Sequence, residues 1–237
     1  MNIVSVPLQL DVTFNLTKFH AVTMCIAHPF VVSHENGTPS LVLGPMMLTQ
    51  NLCTASYAVL ADYIHGALRD LSVDMEATDW RFDFVTDGEK ALYAAFQNTF
   101  RHNKHTLCVR HLIGNIKRFL KNGSKKRTRV ILGGIFGVIE GETGDDCHYI
   151  EALVDATSGA DYKPKWEKFA EKIAMPAFAE WFVKNHQEDF IEKLIDPHRQ
   201  IMGFRNNLPH TNYVEALHKL LKAFCGTHTD VRFVNHP

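Results

Sequence analysis

The chain has 237 residues, 46% hydrophobic and 22% charged, with a formal net charge of −1. That length buries a sizeable core in one large domain or two small ones. The near-neutral balance excludes a binder working through a global positive field but leaves room for a local basic face. The five cysteines contain no CxxC pair, no signal sequence opens the chain, and the longest apolar run, Val130 to Ile139, is far short of a bilayer span. The expectation is a reducing, intracellular setting with free thiols and no membrane contact.

Leu8 to Leu16 alternate strictly: Leu8, Leu10, Val12, Phe14 and Leu16 share one face, and Gln9, Asp11, Thr13 and Asn15 the other. This predicts a strand with one apolar face. His20 to Val32 and Pro39 to Leu48 read as two further strands, with the hairpin-favouring dipeptide Asn36-Gly37 between them. Short links predict an antiparallel meander. Tyr57, Leu60, Ala61, Ile64, Ala67 and Leu68 repeat at helical spacing and predict a helix over Thr54 to Leu71. A strand from Trp80 to Thr86, a helix from Gly88 to Phe100, a short strand from His105 to Leu112 and a helix from Ile113 to Lys121 complete a mixed α/β order.

From Gly123 to Arg205 the pattern becomes helical, with Pro176 breaking one segment from the next. A last helix from Asn212 to Phe224 carries Val214, Leu217, Leu221 and Phe224 on one stripe and stops at Gly226. The expected organisation is one catalytic domain in three stretches: 1–122, a helical insertion over 123–205, and 206–237.

Three carboxylates stand out. Asp11 lies mid-strand, where aspartate is disfavoured unless its face is solvated. Asp87 follows a strand and precedes a helix in "VTDGEKAL". It is either a turn corner, with Thr86 and Glu89 at capping-box spacing, or a reactive group held out by the sheet. Glu215 lies in the first turn of the last helix, where Asn212 could cap and Glu215 complete the box. Taken together, two aspartates and a glutamate make an all-oxygen site suited to Mg2+ or Mn2+. Two such ions can activate an attacking hydroxyl and steady the leaving oxygen of a phosphodiester.

The order of elements resembles the ribonuclease H-like fold: a mixed sheet, three antiparallel strands then two parallel, with flanking helices and an all-helical insertion. The motifs "DVTF" at Asp11, "VTDGEKAL" around Asp87, "CVRHLIGNIK" from Cys108 and "TNYVEALHKLLK" from Thr211 resemble the MULE (Mutator-like element) transposase domain, over about Leu8 to Lys222. The resemblance implies a DDE-type nuclease and strand transferase that cuts transposon ends and joins them to target DNA in the nucleus, working as paired subunits. No heptad pattern here supports a specific interface. Asp11, Asp87 and Glu215 fall on the family's metal-binding acids, and Cys108 and His111 on its C-x-x-H motif. His111 would lie near the scissile phosphate with Cys108 beside it. A zinc site would need more than those two ligands, and Cys147-His148 is the nearest further pair.

The run from Lys117 to Arg129 collects Lys117, Arg118, Lys121, Lys125, Lys126, Arg127 and Arg129. It is either a DNA-backbone contact or a solvated charged turn. Trp166 and Trp181 read as core. The family's N-terminal DNA-binding module and C-terminal Cys/His finger are not found alongside these motifs. The expectation is therefore a catalytic core alone: a fragment, a decayed copy, or a captured domain that binds DNA or protein without catalysis.

Overall fold

The computed structural model describes residues 7–13, 19–32, 39–75, 82–100, 102–121, 123–137, 152–204 and 208–225. The chain divides into two compact units, one of residues 1–105 with 210–237 and one of residues 106–209.

The fold is α/β, built on a five-stranded mixed sheet: β1 (Leu8–Thr13), β2 (His20–Val32), β3 (Pro39–Thr49), β4 (Phe84–Thr86) and β5 (His105–Leu107), in the order β3-β2-β1-β4-β5. β1 and β2 run antiparallel, as do β2 and β3, whereas β1 and β4 run parallel. Phe82 and Phe84 donate to the carbonyls of His102 and Lys104, two bonds that advance in the same direction along both segments. The dipeptide Asn36-Gly37, the strand ends at Phe14, Leu16, Trp80 and Arg81, and Gly226 lie outside the described residues, as do the side chains of Asn212 and Phe224.

Alternation sends Leu10 and Val12 to one face of β1, into a cluster with Val22, Met24 and the inward residues of helices α1 (Thr54–Asp70) and α2 (Lys90–Thr99). Phe82, Phe96 and Phe100 stack within it, the first and last with ring centroids 4.1 Å apart. The other face of β1 differs from a solvated polar face. Gln9, Asp11 and Thr13 are all buried. The final helix, running from Asn212 to Cys225, covers this face, and the Tyr213 backbone N–H donates to Gln9 Oε1 at 3.2 Å. Its buried residues are Val214 and His218, with Thr211 just ahead of the helix, so a histidine takes a place on the inward side that spacing alone gave to leucines.

The second unit is helical: α3 (Val109–Phe119), α4 (Lys125–Phe136), a 3-10 turn (Leu153–Asp155), α5 (Gly159–Ile173), α6 (Pro176–Asn185), α7 (Gln187–Lys193) and α8 (Asp196–Ile201), so that the helix after residue 210 is α9. The run His105 to Leu112, expected as strand throughout, leaves the sheet at Leu107 and begins a helix at Val109. α4 lies in the stretch expected to be helical, though no stripe marked its bounds. It joins the second half of the basic run to the apolar run, opens on Ser124, whose Oγ accepts the Arg127 N–H, and places Gly134 against the ring of Phe169. α6 opens on Pro176 at its first turn, where a missing N–H costs nothing.

Phe178, Phe182 and Phe190 are fully buried, and Trp166 stacks on Phe182 at 5.1 Å, so Trp166 is core. Trp181 is half-buried and stacks on Phe119 at 4.6 Å. The buried Arg199 donates through Nη2 to Asp155 Oδ1 at 2.8 Å and to the Val154 carbonyl at 3.2 Å. No helix among the described residues is long and apolar enough to cross a membrane.

Candidate functional site

The sheet brings Asp11 and Asp87 to the same level. Leu8 pairs with Phe84 and Gln9 with Val85, and Asp11 and Asp87 each lie two residues beyond the last of these pairs, Asp87 just past the end of β4. Both chains run the same way, so the two carboxylates leave neighbouring strands at the same end of the ladder.

Asp11 is 3% exposed. A charge so removed from water is costly unless paired and hydrogen-bonded. Its Oδ1 accepts the Val12 N–H at 3.0 Å, and its Oδ2 lies 3.5 Å from His218 Nδ1. His218 Nε2 in turn meets Thr23 Oγ1 at 2.5 Å. A buried chain therefore runs from strand β2 through α9 to β1, and it fixes which way Asp11 points. Glu215 sits one turn ahead of His218 on the same helix. It is half-buried, and its Oε1 accepts the Thr211 hydroxyl at 3.4 Å, so the local partner is Thr211.

Asp87 occupies a tight turn. Gly88 has φ +94°, a conformation a side chain would strain. Thr86 Oγ1 accepts the Gly88 N–H at 3.1 Å and pairs with His105 Nε2 at 2.8 Å. Asp87 Oδ1 accepts the Glu89 N–H at 3.0 Å. The corner role is thus present, and it uses one carboxylate oxygen; the other makes no hydrogen bond among the described residues. The helix itself begins at Lys90, with Glu89 as its cap residue and no side-chain cap bond.

Glu89 and Tyr57 are the residues that sequence reasoning missed. Glu89 Oε1 accepts the Tyr57 hydroxyl at 2.6 Å. Burial pushes the Glu89 carboxyl above its usual range, with the Asp87 charge adding to the rise and the Tyr57 bond opposing it. Burial also pushes the Tyr57 hydroxyl far up, reinforced by Glu89, so Tyr57 stays a donor at any physiological pH. Tyr57 carried only a core signal, because its position in the helical stripe says where the ring goes and nothing about the hydroxyl.

Cys108 and His111 belong to the second unit, Cys108 buried at the start of α3 and His111 half-buried in its first turn. Each offers one donor atom of a kind that metal ions take, a thiol and an imidazole. Among the acids, Asp11 carries His218, Asp87 the Glu89 amide and Glu215 the Thr211 hydroxyl. Cys147-His148 lies outside the described residues.

The seven basic residues are all exposed. Lys117 and Arg118 close α3, where cations suit the helix dipole. Lys125, Lys126 and Arg127 open α4, where they oppose it, and no acid stands in that first turn to compensate. An anionic partner would relieve this.

No protein-family model matches the chain, and no curated protein matches it either.

Proposed function

We propose that the chain is a DDE-type transposase catalytic core of ribonuclease H-like fold, similar to the MULE domain, acting on DNA phosphodiesters with hard divalent ions held by Asp11, Asp87 and Glu215. The observation that carries the reading is that Asp11 and Asp87 each lie two residues beyond the last parallel pair of β1 and β4, Asp11 on a strand face buried beneath the helix that bears Glu215. Crowded carboxylates repel one another, and a bound cation relieves the repulsion. Divalent ions held there would activate the attacking hydroxyl and neutralise charge on the phosphate.

The chain's own part is to hold and shield. The His218–Thr23 chain aims Asp11, and the Gly88 turn presents the second oxygen of Asp87. Lys125, Lys126 and Arg127 would take DNA phosphates, a contact weakened by salt. A nuclear location goes with that substrate. Cys108 and His111 offer a thiol and an imidazole, donors better suited to zinc than to magnesium.

A second reading, an inactive DNA- or protein-binding domain of transposon origin, is favoured by one observation: Asp11 already has a partner in His218 and does not require a metal.

Thermal melting in Mn2+, with Zn2+ in parallel, separates the two. Wild type should gain about 2.7 kcal/mol at a hundredfold excess over Kd. Asp87→Asn, which keeps the turn through its remaining oxygen, should melt like wild type without metal, lose the Mn2+ response and fail to nick DNA. A variant that still nicks DNA sinks the catalytic assignment; a wild type indifferent to Mn2+ puts the binding domain in its place.

A further inference from the structure

The Asp87 turn is tied down from two directions. From β5, His105 holds Thr86, whose hydroxyl oxygen takes the Gly88 N–H. From α1, Tyr57 reaches Glu89, whose N–H holds Asp87 Oδ1. The second tie is unusual in cost. Tyr57 is 0% exposed, and its ring shares the apolar cluster with Leu60, Phe84 and Leu92. Phenylalanine would fill the same space with no polar group to satisfy. The hydroxyl has one hydrogen-bond partner among the described residues, Glu89, and Glu89 is half-buried to receive it.

Groups that orient a ligand from behind commonly matter about as much as the ligand's surroundings do, and their loss weakens metal affinity about 10- to 100-fold. We propose that Tyr57 is a positioning residue for the Asp87 carboxylate: it clamps Glu89, the Glu89 amide clamps Asp87 Oδ1, and Asp87 Oδ2 is thereby presented to a divalent cation. The inference rests on the metal-dependent reading above and adds to it a residue two hydrogen bonds removed from the ligand Asp87.

The test compares wild type, Tyr57→Phe, Glu89→Gln, Glu89→Ala and Asp87→Asn in Mn2+ calorimetry. Hydrogen exchange at the Gly88 and Glu89 amides is followed without metal. Tyr57→Phe should weaken Mn2+ binding about 10- to 100-fold and speed exchange at those amides, while a purely structural role would lower the melting point and leave both unchanged. Glu89→Gln keeps an oxygen for the Tyr57 hydroxyl and Glu89→Ala does not, though neither is charged. Glu89→Gln should therefore bind Mn2+ more tightly than Glu89→Ala, a comparison that holds even where Tyr57→Phe fails to fold.

Tyr57→Phe binding Mn2+ as wild type does, or Gln and Ala at 89 binding alike, overturns the positioning role and leaves the metal site standing. Wild type and Asp87→Asn binding alike, or neither binding, overturns the metal site and the positioning role with it.

Discussion

In the first unit the buried side chains among the described residues include nine that are polar or charged, Asp11, Thr23, His105 and His218 among them; in the second they include two, Thr106 and Arg199. Both units have apolar cores, the first around Phe82, Phe96 and Phe100 and the second around the interlocking rings of Trp166, Phe178, Phe182 and Phe190, but the second has little polar interior beside it. A polar interior is a poor way to gain stability, because each buried group must find a partner merely to break even. An aromatic interior gains stability directly with area. The contrast teaches that the first unit spends its interior on fixing carboxylates and hydroxyls in set directions, while the second is built to be firm.

That comparison can be broken experimentally. The largest effect belongs to the aromatic core: Phe182→Ala should cost about 3–5 kcal/mol, measured as a shift of the urea midpoint, because the ring is fully buried between Trp166, Phe178 and Phe190. A loss below that would mean the rings are loosely packed. In the polar interior, Thr23→Val keeps the shape and removes the buried Thr23–His218 hydrogen bond, at about 0.5–1.5 kcal/mol. A neutral Thr23→Val would show that the Thr23–His218–Asp11 chain is ornamental.

The smallest effect is a pH dependence. Burial against Trp181 and Phe182 depresses the His186 pKa, with Asp189 only partly opposing it. Below about pH 6.5 the unfolded chain takes up a proton that the folded chain resists, so stability from this residue is complete above that pH and declines as pH falls through it. The difference in urea midpoint between wild type and His186→Gln, taken at pH 7 and pH 5, should therefore move against wild type at the lower pH.

Much of the sheet was legible because alternation and helical spacing are local signals. β2 was read from His20 to Val32, and α1 from Thr54 to within a residue of its end. The bounds of α4 were not marked by a stripe: two adjacent glycines and a Val-Ile pair lower helix propensity, and an amphipathic face is replaced by a switch from mostly basic to apolar along its length. The run at Cys108 misled because a short apolar stretch fits a strand or a buried helix turn equally well. Asp11, Asp87 and Glu215 were nameable from motifs, yet their partners were not. His218, Tyr57 and Glu89 acquire their roles from contacts 207, 32 and 32 residues away along the chain, which no local pattern encodes.

Those long reaches also set a schedule. The Tyr213–Gln9 bond joins residues 204 apart, and His218 joins Asp11 from farther still. During synthesis, β1 emerges from the ribosome with its polar face uncovered and waits for the 204 residues that separate Gln9 from Tyr213 before α9 can lie across it. Contacts of such separation form late and slowly. A nascent chain would therefore hold Asp11 unguarded and unaimed, and the arrangement around it would come into being only once the residues of α9 have been made.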